Sequence, residues 1–149
     1  MNLINPPRLP NLEIQLSDET RRSIGALGEL TAAAMLRKQG LHVEKASRRR
    51  GDLRVMNPET GEITYIEVKT ARRGRDKKWR FLLWKKNKTD HRHADKVLLL
   101  AVMRWGEVVP FVVPVDVLLR QKQCVICSDP RTYTGKLACY RQARGEIRL

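Results

Sequence analysis

The chain is short of cysteine, of aromatic residues and of long apolar runs, and each shortage removes a class of protein. Three cysteines, Cys124, Cys127 and Cys139, are an odd number in 149 residues. They make no disulfide framework, which leaves a reducing, intracellular and cytoplasmic setting as the expectation. No stretch nears the roughly 18 consecutive apolar residues that a membrane span needs. The opening MNLINPPRLP lacks the basic-then-apolar order of a secretory signal. Acidic residues are scarce as well: 16 Asp and Glu face 30 Lys and Arg, a formal net charge of +14 with a pI near 10.4. Such an excess repels itself unless a polyanion shares it, and nucleic acid is the commonest polyanion partner.

What remains is one domain's worth of chain, 17.2 kDa with 42% apolar residues. Residues 1–16, with Pro6, Pro7 and Pro10, read as an extended arm. Ser17-Asp18 is placed to open a helix and Gly40 to close it. Strands are expected over Leu41–Ala46, Asp52–Met56 and Ile63–Thr70, the last two joined by the turn Asn57-Pro58-Glu59-Thr60-Gly61. A basic loop, Ala71–Lys78, and an alternating stretch, Trp79–Trp84, follow; Lys85–Ala94 is polar. Val97–Met103 reads as a strand covered on both faces. Val108–Val115, with Pro110 and Pro114, reads as an edge strand, and Asp116 can cap a last helix through about Gln123. The expectation is a mixed α/β core over 17–123, a central sheet flanked by helices, with an extension over 124–149.

Pairing Met56 with Ile63 across the turn sets a register that carries Asp52 opposite Glu67. Residues so opposed have Cβ atoms roughly 5 Å apart. Strand alternation then puts Leu53, Val55, Ile66 and Val68 on a core face, and Asp52, Arg54, Tyr65, Glu67 and Lys69 on the other. Two opposed carboxylates raise each other's pKa unless a cation intervenes. Lys69 can supply part of that charge, and a divalent ion such as Mg²⁺, which prefers hard oxygen ligands, can supply more. A metal there could activate water against a phosphoryl group, with Lys69 orienting or deprotonating it. A simple Lys69–Glu67 ion pair is the plainer alternative. On the helix, Glu29 sits among Gly25, Ala26, Gly28, Ala32 and Ala33, a small-residue face suited to close approach to a sheet. An ionised Glu there needs a partner, which could be Arg22, Arg37 or Arg50, or the same metal site.

Gly28-Glu29 on a helix, Arg50-Gly51-Asp52-Leu53, and Ile66-Glu67-Val68-Lys69 together resemble the PD-(D/E)XK nuclease superfamily, most of all its archaeal Holliday-junction resolvase-like branch. Arg50-Gly51 stands where that signature has its proline. The resemblance covers about residues 24–103 and implies a restriction-endonuclease-like core. It further implies that Asp52, Glu67 and the Val68 carbonyl ligate Mg²⁺ or Mn²⁺, that Lys69 acts on the nucleophilic water, and that Glu29 completes the site. The implied activity is endonucleolytic hydrolysis of DNA, selective for branched junctions, by a homodimer acting in recombination and repair. Homing and restriction-type endonucleases share the motif and are the alternative within the enzyme class.

From Lys69 through Arg92 eleven Lys or Arg face two acids, Asp76 and Asp90. Arg72, Arg73, Arg75, Lys77, Lys78, Lys85, Lys86 and Lys88, with Arg48, Arg49 and Arg50, are therefore the candidate phosphate contacts. Trp79 and Phe81 share one strand face and read as core rather than as base-stacking residues. His91 and His93 could shuttle protons, and the three cysteines could begin a zinc site, although a fourth ligand is missing. A basic nucleic-acid-binding protein without catalysis is the alternative from another class.

Overall fold

In the computed structural model, residues 18–83, 93–143 and 146–149 are described, with only the backbone for 18–22 and Arg48. Expectations for the arm at 1–16, the Ser17 cap, Trp84, Lys85, Lys86, Lys88, His91 and Arg92 fall outside those residues.

Helix α1, Asp18–Lys38, runs up to the expected glycine. Gly40 has φ +87°, its amide donates to Arg37 at 3.0 Å, and the Leu41 amide donates to Leu36 at 3.2 Å. That pair of bonds is the Schellman closure that a left-handed glycine permits. The Gln39 side chain then clasps Ile147: its Nε2 donates to the Ile147 carbonyl at 2.8 Å, and its Oε1 accepts the Ile147 amide at 2.7 Å.

The central sheet has five strands in the order β1 (His42–Lys45), β2 (Leu53–Met56), β3 (Ile63–Arg72), β5 (Lys96–Val102) and β6 (Val108–Pro114). Only β3 and β5 run parallel; the other neighbours are antiparallel. The register across the 57–61 turn is the expected one, Met56 against Ile63 and Leu53 against Ile66. Gly61 at φ +73° and the Glu59 amide on Asn57 Oδ1 shape that turn. A second, two-stranded sheet pairs β4 (Trp79–Leu82) with β7 (Gln123–Ile126).

Two cores result. Val43, Leu53, Val55, Ile66, Val68, Leu98 and Leu100 pack under Ala32, Ala33, Met35 and Leu36 of α1. On the opposite face Ala71, Val97, Leu99, Phe111 and Val113 pack against Trp79, Phe81, Cys124 and Ile126 of the small sheet. Strand β5 lies between the layers, its residues 97–102 all buried, as its unbroken apolar run requires. Trp79 and Phe81 are core, and the indole Nε1 of Trp79 donates to the Val102 carbonyl at 2.9 Å.

Several expectations are corrected. Strand β3 continues to Arg72, so the basic loop shrinks to a tight hairpin around Gly74–Lys78, closed by Gly74 and Lys78 backbone bonds. Asp116 does not cap a helix reaching Gln123. The helix α2 is a single turn, Val115–Leu118, inside which Asp116 lies, because the chain from Gln123 is drawn into β7 to pair with β4. The boundary drawn after residue 123 falls at the first residue of that strand. Strand β6 is the sheet edge, yet Arg141 bridges Phe111 and the Gln142 amide donates to Pro110, so the chain itself covers part of it. No described helix is long and apolar enough to cross a membrane.

Gly28 lets α1 sit on β3, since a Cβ there would collide with the Thr70 side chain, whereas a Cβ at Gly25 meets nothing within 4 Å. Two substitutions three residues apart should therefore differ in sign. Gly25→Ala should raise stability by about 0.5–1 kcal/mol through helix propensity. Gly28→Ala should lower it by about 1–3 kcal/mol through overpacking. Urea unfolding midpoints of the two variants check this.

Candidate active site

The site forms where β2 begins. After the single 3₁₀ turn Arg48–Arg50, Gly51 takes φ +94° and ψ −156°, a region essentially reserved for glycine. A Cβ at Gly51 would lie 2.8 Å from the Ile66 carbonyl oxygen, so glycine alone allows this approach to β3. The next residue, Asp52, donates its amide to the Ile66 carbonyl at 2.8 Å. Its carboxylate Oδ2 accepts the Val68 amide at 2.7 Å. A side chain thus takes the ladder bond that β2 would have supplied, and β2 starts at Leu53 rather than at Asp52. Amide and carbonyl of one strand residue point to the same side. The Val68 carbonyl accordingly faces the gap beside Asp52.

Glu67 and Lys69 project from β3 on the face opposite α1. The sequence expectation put them on a non-core side; that face is instead the second core, and Glu67 is only 1% exposed. Lys69 Nζ stands 3.0 Å from Glu67 Oε1, with the lysine side chain 22% exposed. The ion pair that was the plainer alternative is therefore present, with its acid buried and its lysine partly buried. Taking two charges out of water is costly, so such a pair is weak evidence for a purely stabilising role.

The Asp52 carboxyl registers the convergence. Its pKa is pushed from 3.8 up to about 6, first by loss of solvent and then by the Glu67 charge, with Glu29 adding to the rise; the Val68 amide and Lys69 oppose it. Glu29, on the helix that covers the other face, thus bears on the site through its charge on Asp52. It does not join a ligand cluster: among the described residues no group of three or more His, Cys, Asp or Glu is close enough to hold a metal ion. The hard oxygens at hand for a divalent cation are those of Asp52, Glu67 and the Val68 carbonyl. A desolvated, mutually repelling carboxylate pair is a donor set that such a cation would relieve.

Beyond Lys69 a groove of about 450 Å³ opens, lined by Lys69, Arg72, Arg73, Lys78 and Arg80, with Ile24, Ala71 and Leu82 as its apolar wall. Of the expected phosphate contacts, Arg72, Arg73 and Lys78 line it; Arg75 and Lys77 are exposed on the hairpin tip, and Arg49 and Arg50 are exposed on the 3₁₀ turn. Arg80, one of the eleven basic residues counted over 69–92, is held by Asp76 at the groove wall. Its signal was the alternation Trp79-Arg80-Phe81, which turns Arg80 outward. His93 is exposed, Cys124 is buried with its thiol pushed up to about 12 by desolvation, and Cys127 and Cys139 are exposed, all three cysteines free. No metal cluster gathers them among the described residues.

The chain matches no protein-family model and no curated protein. Its fold is similar to the solved structure of a bacterial homing endonuclease, with a TM-score of 0.60 and 20% identity over 80% of this chain and 85% of that one. At that identity the likeness concerns the fold, a mixed sheet with the α1 layer on one side.

A carboxyl whose folded pKa lies above its ordinary 3.8 holds its proton more tightly in the folded chain. The stability it contributes is complete below about pH 4 and is lost as pH rises through about 6. In metal-free buffer Asp52→Asn, which keeps an acceptor for the Val68 amide, should therefore stabilise the protein at pH 8 by up to about 3 kcal/mol. The two proteins should converge near pH 4. Unfolding curves across that range decide it, and a constant offset between them would contradict the assignment.

Proposed function

We propose that this chain is a divalent-metal-dependent endonuclease that hydrolyses phosphodiester bonds of DNA. The observation that carries the reading is the meeting of a desolvated Asp52, buried Glu67 and Lys69 at the mouth of a basic groove. Each part has a task. The groove cations neutralise and track a phosphate backbone. Lys69, charged and fixed by Glu67, donates to a water and orients it toward phosphorus. Asp52 and Glu67, with the Val68 carbonyl, would supply oxygen ligands for a divalent cation. Glu29 adds negative potential from behind Asp52, which favours a bound cation. A divalent ion held by these oxygens would polarise the phosphoryl oxygen and lower the pKa of its water.

The likeness to a homing endonuclease supports the homing-type, sequence-specific reading within the enzyme class. A four-way junction is the substrate implied by the resemblance to resolvases. Two cuts in one target call for two sites, which a two-fold pair of chains supplies.

The test uses supercoiled plasmid, linear duplex and a four-way junction, each with Mg²⁺ and with EDTA. Cutting should require the metal. Asp52→Asn and Lys69→Gln should each slow it by about 100-fold or more while DNA binding in EDTA persists. Binding without cutting on every substrate would return the protein to the non-catalytic alternative. Undiminished cutting by both variants would remove these residues from the mechanism.

A further inference from the structure

The face of β2 and β3 that carries Glu67 also carries Tyr65, two positions earlier, and Arg54, its partner across the ladder. Tyr65 is fixed at both backbone atoms, its amide donating to Asp95 Oδ2 and its carbonyl accepting the Asp95 amide, each at 2.8 Å. Its phenol oxygen accepts a hydrogen bond from Arg54, which is held in turn by Glu44 at 2.6 Å. The ring therefore has little freedom. Over it lies the guanidinium of Arg50, with Cζ 3.8 Å from the ring centroid.

A guanidinium stacked on a ring has one face covered and its N–H donors still free at the edge, the geometry that grips a phosphate bidentately. Among the described residues Arg50 pairs with no carboxylate, and it is not among the principal charges acting on Asp52. Its charge is therefore available for a ligand. The 3₁₀ turn, with the Arg50 amide on Ser47 at 2.9 Å, and the locked Gly51 fix the backbone that delivers it.

We propose that Tyr65 is a positioning residue that presents the Arg50 guanidinium to a DNA phosphate neighbouring the one that is cut. The inference rests on the endonuclease reading above. Two strand residues advance about 6.6 Å, so the step from Glu67 to Tyr65 suits the separation of neighbouring phosphates on one strand.

The test reads binding of a fluorescein-labelled linear duplex in EDTA, as the slope of log affinity against log salt. Arg50→Ala should flatten the slope by about 0.9, the loss of one phosphate contact. Tyr65→Leu should flatten it equally, the double variant no further, and Tyr65→Phe, which keeps the ring, not at all. Arg73→Ala is the control in the groove. A flattened slope for Arg73→Ala with none for Arg50→Ala overturns this inference and leaves the DNA reading standing. A wild-type protein without salt-dependent binding overturns both. A second measurement needs no Tyr65 variant: the Arg50 Nε–H resonance of the wild type should shift on adding the duplex, while that of exposed Arg104 stays. A stationary Arg50 resonance rejects the proposal, because a purely structural stack would not respond to DNA.

Discussion

One hydrogen bond organises this molecule, the one from the Val68 amide to the Asp52 carboxylate. It stands where strand β2 has stopped and β3 has not, so a backbone donor inside the protein would otherwise lack a partner. The close passage of Gly51 against Ile66 brings the carboxylate there, and only a residue without Cβ can make that passage. One Asp52 oxygen thereby closes the sheet. The same desolvation that gives the bond its strength lifts the acid's pKa toward neutrality. Structural closure and chemical readiness are here two aspects of a single side chain.

The charges around it are distributed over both faces of the sheet. Glu67 and Lys69 belong to the face under β4 and β7, Glu29 to the helix on the other, and Asp52 lies in the seam between them. A sheet gap is the one place where groups from both layers can act on a single carboxyl. Outward from it, Lys69 leads into the groove lined by Arg72, Arg73, Lys78 and Arg80.

Much of this was legible in the residues. The Asn57–Gly61 turn dictated a register that the ladder reproduces, and period-two alternation correctly separated Leu53, Val55, Ile66 and Val68 from their neighbours. Gly40 marked the end of α1 because its left-handed conformation is a local property. What escaped was non-local. Alternation states that Glu67 faces away from α1, but not that another layer covers it, since β7 arrives from more than fifty residues downstream in the chain. The short α2 escaped for the same reason, its continuation being overridden by pairing with β4. Glu29 acts on Asp52 through its charge, and where it stands relative to the acids depends on helix placement, which spacing does not encode. The stacking of Arg50 on Tyr65 carried no sequence signal at all, because it joins a turn to a strand across the ladder.

The Gln39 clasp has a bearing on how the protein is made. Its two bonds reach Ile147, 108 residues further along, and act as a miniature ladder rung between a helix end and a distant segment. On the ribosome, α1 emerges early while the segment that clasps it is still unbuilt. The helix must therefore wait for 108 further residues to be made before its exit is secured. A released chain ending just short of Ile147 would keep every strand of the sheet beneath an unfastened helix.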